Sequence, residues 1–356
     1  MKFTVLAALV LVWIHPIQGQ SDKAFPQTAT PAEVGLHSDS IQTIIDTFDR
    51  RSIVDFRSFI IIKDQKLVTE AYYNSYWRET IHDIRSAGKS ITALLMGVAI
   101  QQGLVKDEEQ LVADFFPEQI DPDNPAFKNL RIRHLLMMSS GLDADSDDGN
   151  SRGNAGNWMG GDQWVETILG LSRVFEPGEK WVYADACAVL CGAIIQQTSG
   201  LTLSEFAEKH LFNPLQIREY YWYKNAAGVT GAAGNLYLRN LDFAKLGLLL
   251  LNKGEWQGQQ LFSEKWAEAL VKPRLEISEV GPLGAAYYGY FWYIGTYELG
   301  EKSYTYYFAT GNGGNRVYVV PELNMVVAAQ SSAHMRGYGH RRAHFVLQSA
   351  IRAVEN

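Results

Sequence analysis

The first segment with a readable period is residues 41–51, where Ile41, Ile44, Ile45 and Phe48 fall three or four apart and predict an amphipathic helix. The period then shortens. Arg57-Ser-Phe-Ile-Ile-Ile and Lys66-Leu-Val-Thr-Glu-Ala-Tyr-Tyr are β-like runs joined by the polar turn Lys63-Asp64-Gln65, which predicts a hairpin. Helical spacing returns after Ser86, with Ile91, Leu94, Leu95 and Val98 apolar in a run that starts at Lys89 and is closed by Gly103. Helical signals dominate to about residue 215. They are interrupted at residues 141–161 by a stretch rich in Gly, Asp, Asn and Ser, read as a long functional loop over a pocket. Its carboxylates lack the ligand order and closing Glu of a calcium hand. Beyond that the chain turns β-rich: Tyr288, Tyr290, Trp292 and Ile294 alternate, residues 304–308, 316–320 and 325–329 read as strands, and residues 341–354 as a terminal helix.

Strands near both ends and helices between them predict an α/β fold, an antiparallel sheet flanked by helices with a mostly helical inserted domain. The expected division is a discontinuous α/β domain of residues 21–85 and 230–356, and a helical domain of residues 86–229. Residues 1–20 are set apart as a signal peptide: Lys2, an apolar run of about twelve residues, then Pro16 and Gly19. So short a run cannot cross a bilayer core of roughly 30 Å as a helix. The expectation is therefore a secreted or periplasmic protein without a membrane span.

Composition narrows the class further. With 47% hydrophobic and 20% charged residues the chain can build a large core and is not a disordered or fibrous sequence. A net charge of −7 gives no footprint for binding nucleic acid. Cys187 and Cys191 lie four apart in a helical run, where a disulfide would be strained, so both are expected as buried free thiols. The scattered histidines show no metal-ligand spacing, so a metal is not implied.

The candidate chemistry starts at Ser86-Ala-Gly-Lys89. If Ser86 opens a helix, Lys89 stands one turn along the same face, where its amine can take the serine proton once burial or nearby cations lower its pKa. The helix N-terminus also offers free N–H groups to an oxyanion. Further on, a Pro-Gly turn delivers Tyr183-Ala-Asp185 just before a new helix, and the Tyr183 phenol could shuttle a proton beside Lys89. In the β-rich third, Ala309-Thr310-Gly311-Asn312-Gly-Gly ahead of Val-Val-Pro puts small residues on a strand edge, open to a substrate backbone. A packed helix cap, a packed aromatic and a β-bulge are the structural alternatives for these three stretches.

A serine with lysine three positions on, a Tyr-x-Asp and a Gly-rich strand before Val-Val-Pro, in that order, form a variant of the motif set of penicillin-binding proteins and β-lactamases. On these residues the sequence resembles the serine β-lactamase-like superfamily, above all its class C branch, the family VIII esterases and the 6-aminohexanoate-dimer hydrolases. Residues 130–142, 231–247 and 288–292 carry the same resemblance. It implies Ser86 as nucleophile, Lys89 as its base and Tyr183 as general acid/base partner. It also implies an oxyanion hole from the backbone N–H groups of Ser86 and of Asn312, in a register that the glycines leave free to shift by one or two places.

Two departures bear on the substrate. Ala309 stands where β-lactamases have the lysine of Lys-Thr-Gly, and Asp185 where class C enzymes have an asparagine, so anionic substrates are disfavoured. The resemblance implies a serine hydrolase acting on a small-molecule ester or amide through an acyl-enzyme, with neither a metal nor an organic cofactor. A D-amino-acid peptidase, a weak β-lactamase and a non-catalytic penicillin-binding-like receptor are the alternatives. Tyr72, Tyr76, Trp77, Trp158, Trp222 and Tyr287 are candidate pocket walls, and Arg133 and His134 are read as structural support.

Overall fold

The computed structural model describes residues 26–50, 52–120 and 124–354. The expected signal segment lies outside the described residues. Nine strands form the main sheet: β1 (Gln27–Thr28), β2 (Phe56–Lys63), β3 (Lys66–Tyr72), β4 (Leu275–Glu276), β5 (Tyr287–Tyr288), β6 (Tyr293–Leu299), β7 (Lys302–Gly311), β8 (Asn315–Val320) and β9 (Met325–Ser331). Their spatial order is β1-β3-β2-β9-β8-β7-β6-β5-β4, and every pairing except β1 with β3 is antiparallel. The hairpin is the one the sequence predicts. Asp64 and Gln65 take φ of 50° and 64°, the left-handed pair that matches a tight turn to the twist of its strands.

Five longer helices are α1 (Ser38–Phe48), α2 (Gly88–Gln101), α3 (Asp185–Ser199), α4 (Asn240–Leu251) and α5 (Gly337–Arg352). α4 covers one face of the sheet so closely that a Cβ on Gly247 would overlap the side chains of Val317 and Val326. α1 and α5 cover the other. There Phe48 stacks on Phe56 with ring centroids 3.8 Å apart and meets the edge of Phe345. The result is an α/β sandwich with helices on both faces of an antiparallel sheet.

Local differences from the sequence pattern have physical causes. α1 begins at Ser38 rather than at the first apolar residue, because the His37 carbonyl already accepts from the N–H groups of Ser40 and Ile41, at 3.1 and 3.2 Å, while the His37 N–H donates to Ala353 O at 2.8 Å. The terminal helix likewise starts four residues early, at Gly337. The alternating run through residues 288–294 is not one strand. Phe291 takes φ 55°, the Gly289 N–H donates back to Trp292 O at 2.9 Å, and the chain folds over before β6 starts at Tyr293. Tyr288, Tyr290, Phe291 and Trp292 are all buried, so alternation there reflects a wholly buried bend rather than a two-faced strand.

α2 and α3 are the helices that position chemistry. Residues 88–99 of α2 are buried on every side. Such a helix is fixed by its surroundings rather than by one apolar stripe. A small sheet of His82–Asp83, Leu236–Leu238 and Tyr220–Trp222 carries the chain to its start. Among the described residues no single helix is long and apolar enough to cross a membrane.

Candidate active site

Ser86 lies in a single 3-10 turn, Arg85–Ala87, that runs directly into α2. The residue before it, Arg85, holds φ 54°. A non-glycine residue in that region costs of order 1–3 kcal/mol and persists where surroundings enforce it. Here the Asp83 carboxylate accepts from the Arg85 backbone N–H at 2.8 Å and ion-pairs with its guanidinium at 3.1 Å. Ser86 is half-buried at the sharp entry to the helix.

One turn on, Lys89 is almost wholly buried. Its Nζ lies 2.6 Å from Asp185 Oδ1, donates to Ala233 O at 2.8 Å, and sits 4.8 Å from the centroid of the Tyr183 ring. Burial alone would push its pKa down, but the Asp185 carboxylate and the Tyr183 phenol outweigh burial and hold it above the ordinary lysine value. The resting side chain is an ammonium. The carboxylate reverses the expectation that burial or neighbouring cations free an amine there.

Asp185 is therefore not a free negative charge facing substrate, as its sequence position suggested. Its charge is paired with Lys89. It is also held from behind: the Ser146 hydroxyl donates to Asp185 Oδ2 at 3.1 Å, while the Asp185 N–H donates to Ser146 Oγ at 2.9 Å and the Ser146 N–H to Tyr183 O at 2.8 Å. Ser146 belongs to the Gly/Asp/Asn/Ser-rich loop, which is pinned in turn by Asn154 Nδ2 donating to the carbonyls of Asp145, Ser146 and Asp148. Within it Asp147 is pushed above the usual carboxylate range by partial burial and by Asp145 and Asp185.

The third motif closes on the same point. A Cβ on Gly311 would overlap the Ile84 carbonyl oxygen and crowd the Arg85 Cβ, so the end of β7 touches the turn that holds Ser86. Only glycine permits that approach. Next to it, Asn315 Nδ2 donates to Asn312 O at 2.9 Å and the Gly314 N–H returns to Gly311 O at 3.2 Å. Thr310 is tied on the sheet side, its Oγ1 accepting from Nε of the wholly buried Arg316 at 3.0 Å. Asn312 carries its side chain outward, Oδ1 accepting from the Met335 N–H at 2.7 Å. Ala309 is buried in β7 between Thr310 and Phe308, over whose ring the Arg316 guanidinium lies at 4.9 Å.

Other expectations are redistributed. Trp222 and Trp158 are buried and structural, their indoles donating to Gly231 and Gly234 carbonyls and to Gly153 O respectively. Tyr76 bonds His82 and Tyr72 bonds Glu70, whereas Trp77 and Tyr287 are exposed. The aromatics around Tyr183 are instead Trp181 and Tyr288, packed edge to face at 5.7 Å, with Tyr293 against Tyr288 at 4.7 Å. Ser146, the Ala233 carbonyl and Arg316 were missed as well. Ser146 and the Ala233 carbonyl carry no local signal, since each reaches a motif far away in sequence, whereas Arg316 stands opposite Thr310 across the β7–β8 hairpin, six positions on. His134 is buried beside Arg133, which ion-pairs with Glu109 at 2.7 Å. Cys187 and Cys191 are buried free thiols.

A serine at a helix entry, a lysine and a tyrosine around its first turn and a glycine strand edge beside it define a serine hydrolase. The Beta-lactamase family profile matches residues 56–350, and the chain belongs to that family. It is 22% identical over 330 residues to the 6-aminohexanoate-dimer hydrolase of Paenarthrobacter ureafaciens, covering 85% of this chain and 80% of the relative. Among solved structures, a family VIII carboxylesterase superposes with TM-score 0.68 at 16% identity, over 88% of this chain and 97% of that one. The D-amino acid amidase of Ochrobactrum anthropi superposes with TM-score 0.62, also at 16% identity, over 88% and 98%.

Proposed function

We propose that this protein hydrolyses small, uncharged esters or amides through an acyl-enzyme on Ser86, as an exported enzyme. The observation that carries the reading is the contact of the Lys89 ammonium with the Tyr183 ring, one helical turn from Ser86. Ser86 Oγ adds to the substrate carbonyl while its proton passes to the Tyr183 oxygen and the phenol's own proton passes on to the leaving alcohol or amine. Lys89, kept charged by Asp185, stabilises negative charge on that phenol and on the adding oxygen. The tetrahedral oxyanion is met by the N–H groups of Ser86 and of the Gly311-Asn312 edge, and a water then repeats the sequence on the acyl-enzyme.

The uncharged substrate follows from Ala309, which supplies no cation where a carboxylate-bearing substrate would need one. The ester and amide relatives support the bond type. Turnover of short-chain p-nitrophenyl esters by the parent and by Ser86→Ala tests the reading, with fluorophosphonate labelling at Ser86 as a second measure. Equal turnover by the two proteins overturns it. Nitrocefin turnover rivalling that of esters overturns the uncharged-substrate half alone.

A further inference from the structure

Met335 is 85% exposed, whereas Met96, Met138 and Met325 are fully buried and Met137 and Met159 half-buried. A solvent-facing thioether is the kind of methionine that oxidants reach first. Its place is unusual. It takes φ 57°, its N–H donates to Asn312 Oδ1 at 2.7 Å, and its Sδ lies 3.1 Å from Asn312 Nδ2. The two contacts make a closed ring between Met335 and the residue that follows Gly311.

We propose that Met335 is a redox modification site, and that its conversion to the sulfoxide by a peroxide lowers turnover by displacing Asn312. This rests on the reading that the Asn312 N–H serves the oxyanion. In the step a sulfur lone pair attacks one peroxide oxygen. An S–O bond forms, the O–O bond breaks, and the second oxygen leaves as water. Sulfur is oxidised by two electrons and the peroxide is reduced.

The consequence is geometric and electrostatic together. A thioether is a weak acceptor and a sulfoxide oxygen a strong one. The 3.1 Å between Sδ and Nδ2 already holds one hydrogen bond, so an added oxygen cannot enter it without moving a partner. The exposed Met335 chain and the Asn312 amide are the parts free to yield. Rotation of the Asn312 side chain also loosens the 2.7 Å bond to the Met335 N–H, and with it the peptide plane that carries the oxyanion donor.

The experiment treats the full chain and Met335→Leu with hydrogen peroxide, maps sulfoxides by peptide mass spectrometry, and follows p-nitrophenyl ester turnover against Ser86→Ala. The parent is expected to gain oxygen first at Met335 and to lose about five-fold or more in kcat, a fraction of what deleting an oxyanion donor costs. Methionine sulfoxide reductases should restore it. For Met335→Leu the treated-to-untreated ratio should stay near one, whatever its untreated rate. Complete sulfoxide at Met335 with unchanged kcat overturns the proposal, as does an equal loss in Met335→Leu or prior oxidation of a buried methionine. An untreated parent no faster than Ser86→Ala overturns the hydrolase reading itself, and is seen before any peroxide is added.

Discussion

Lys89 Nζ and Asp185 Oδ1 lie 2.6 Å apart, the lysine almost fully buried and the aspartate 17% exposed. Burying such a pair is costly, and breaking it by removing one partner costs more, because a charge is left alone. The pair therefore fixes the charge state of the whole site. Position 185 is the departure from the class C pattern that does this.

Asp185→Asn removes the counter-ion and leaves burial to act on Lys89 unopposed. The variant should be less stable by about 3 kcal/mol, read by chemical denaturation. In the parent, the raised lysine pKa contributes stability that is complete below the ordinary value of 10.5 and disappears as pH rises through the folded value. The variant should lack that alkaline dependence, and its pH–rate profile should shift as Lys89 titrates nearer neutrality. Superimposable profiles would sink the assignment.

Ser146→Ala deletes both hydrogen bonds between the Ser146 hydroxyl and Asp185, at 3.1 and 2.9 Å. The ion pair survives but the carboxylate can turn. A stability loss of about 1 kcal/mol should accompany a several-fold fall in kcat with KM little altered. Unchanged steady-state kinetics would reduce Ser146 to a loop anchor.

Gly311→Ala places a methyl group on the Ile84 carbonyl. The strand end must retreat from the turn that holds Ser86, so ester turnover should fall by about 100-fold while fluorophosphonate labelling of Ser86 falls in parallel. A variant that melts well above the assay temperature yet keeps parental turnover would show that this strand edge takes no part.

Acid should unfold the protein early. Burial is the first cause holding His82, His134, His340 and His344 at pKa values of about 4. A histidine kept neutral in the fold binds protons more readily once unfolded, so stability is lost as pH falls from about 6.5 towards 4. Melting temperatures taken down that range should drop steadily, and His344→Gln should flatten the drop. A pH-independent melting temperature down to 4.5 would contradict it.

The hairpin, the β7 to β9 meander and the serine-bearing helix were legible because their apolar periods are set by one sheet or one helix each. The bend at residues 288–292 was not, because burial on all sides erases the difference between strand and turn. Among the site residues, Ser86, Lys89, Tyr183 and Gly311 stand out through spacing and turn chemistry, and the structure brings them together. Asp185 could be found in the sequence but not its role, since nothing local says whether a carboxylate faces substrate or a lysine 96 positions earlier. Ser146 is invisible for the same reason: its partner, 39 positions on, is chosen by tertiary contact.

The pairing of β2 with β9 has a consequence for how the chain comes to be folded. Ser58 and Gln330, which meet across that pair, are 272 positions apart. A ribosome working from the N-terminus emits Phe59-Ile-Ile-Ile62 long before the strand that shields it exists. Closing so large a loop comes late and slowly. For most of its synthesis the nascent chain therefore carries an unshielded sticky segment, which makes it a natural client for a holdase until its last fifty residues arrive.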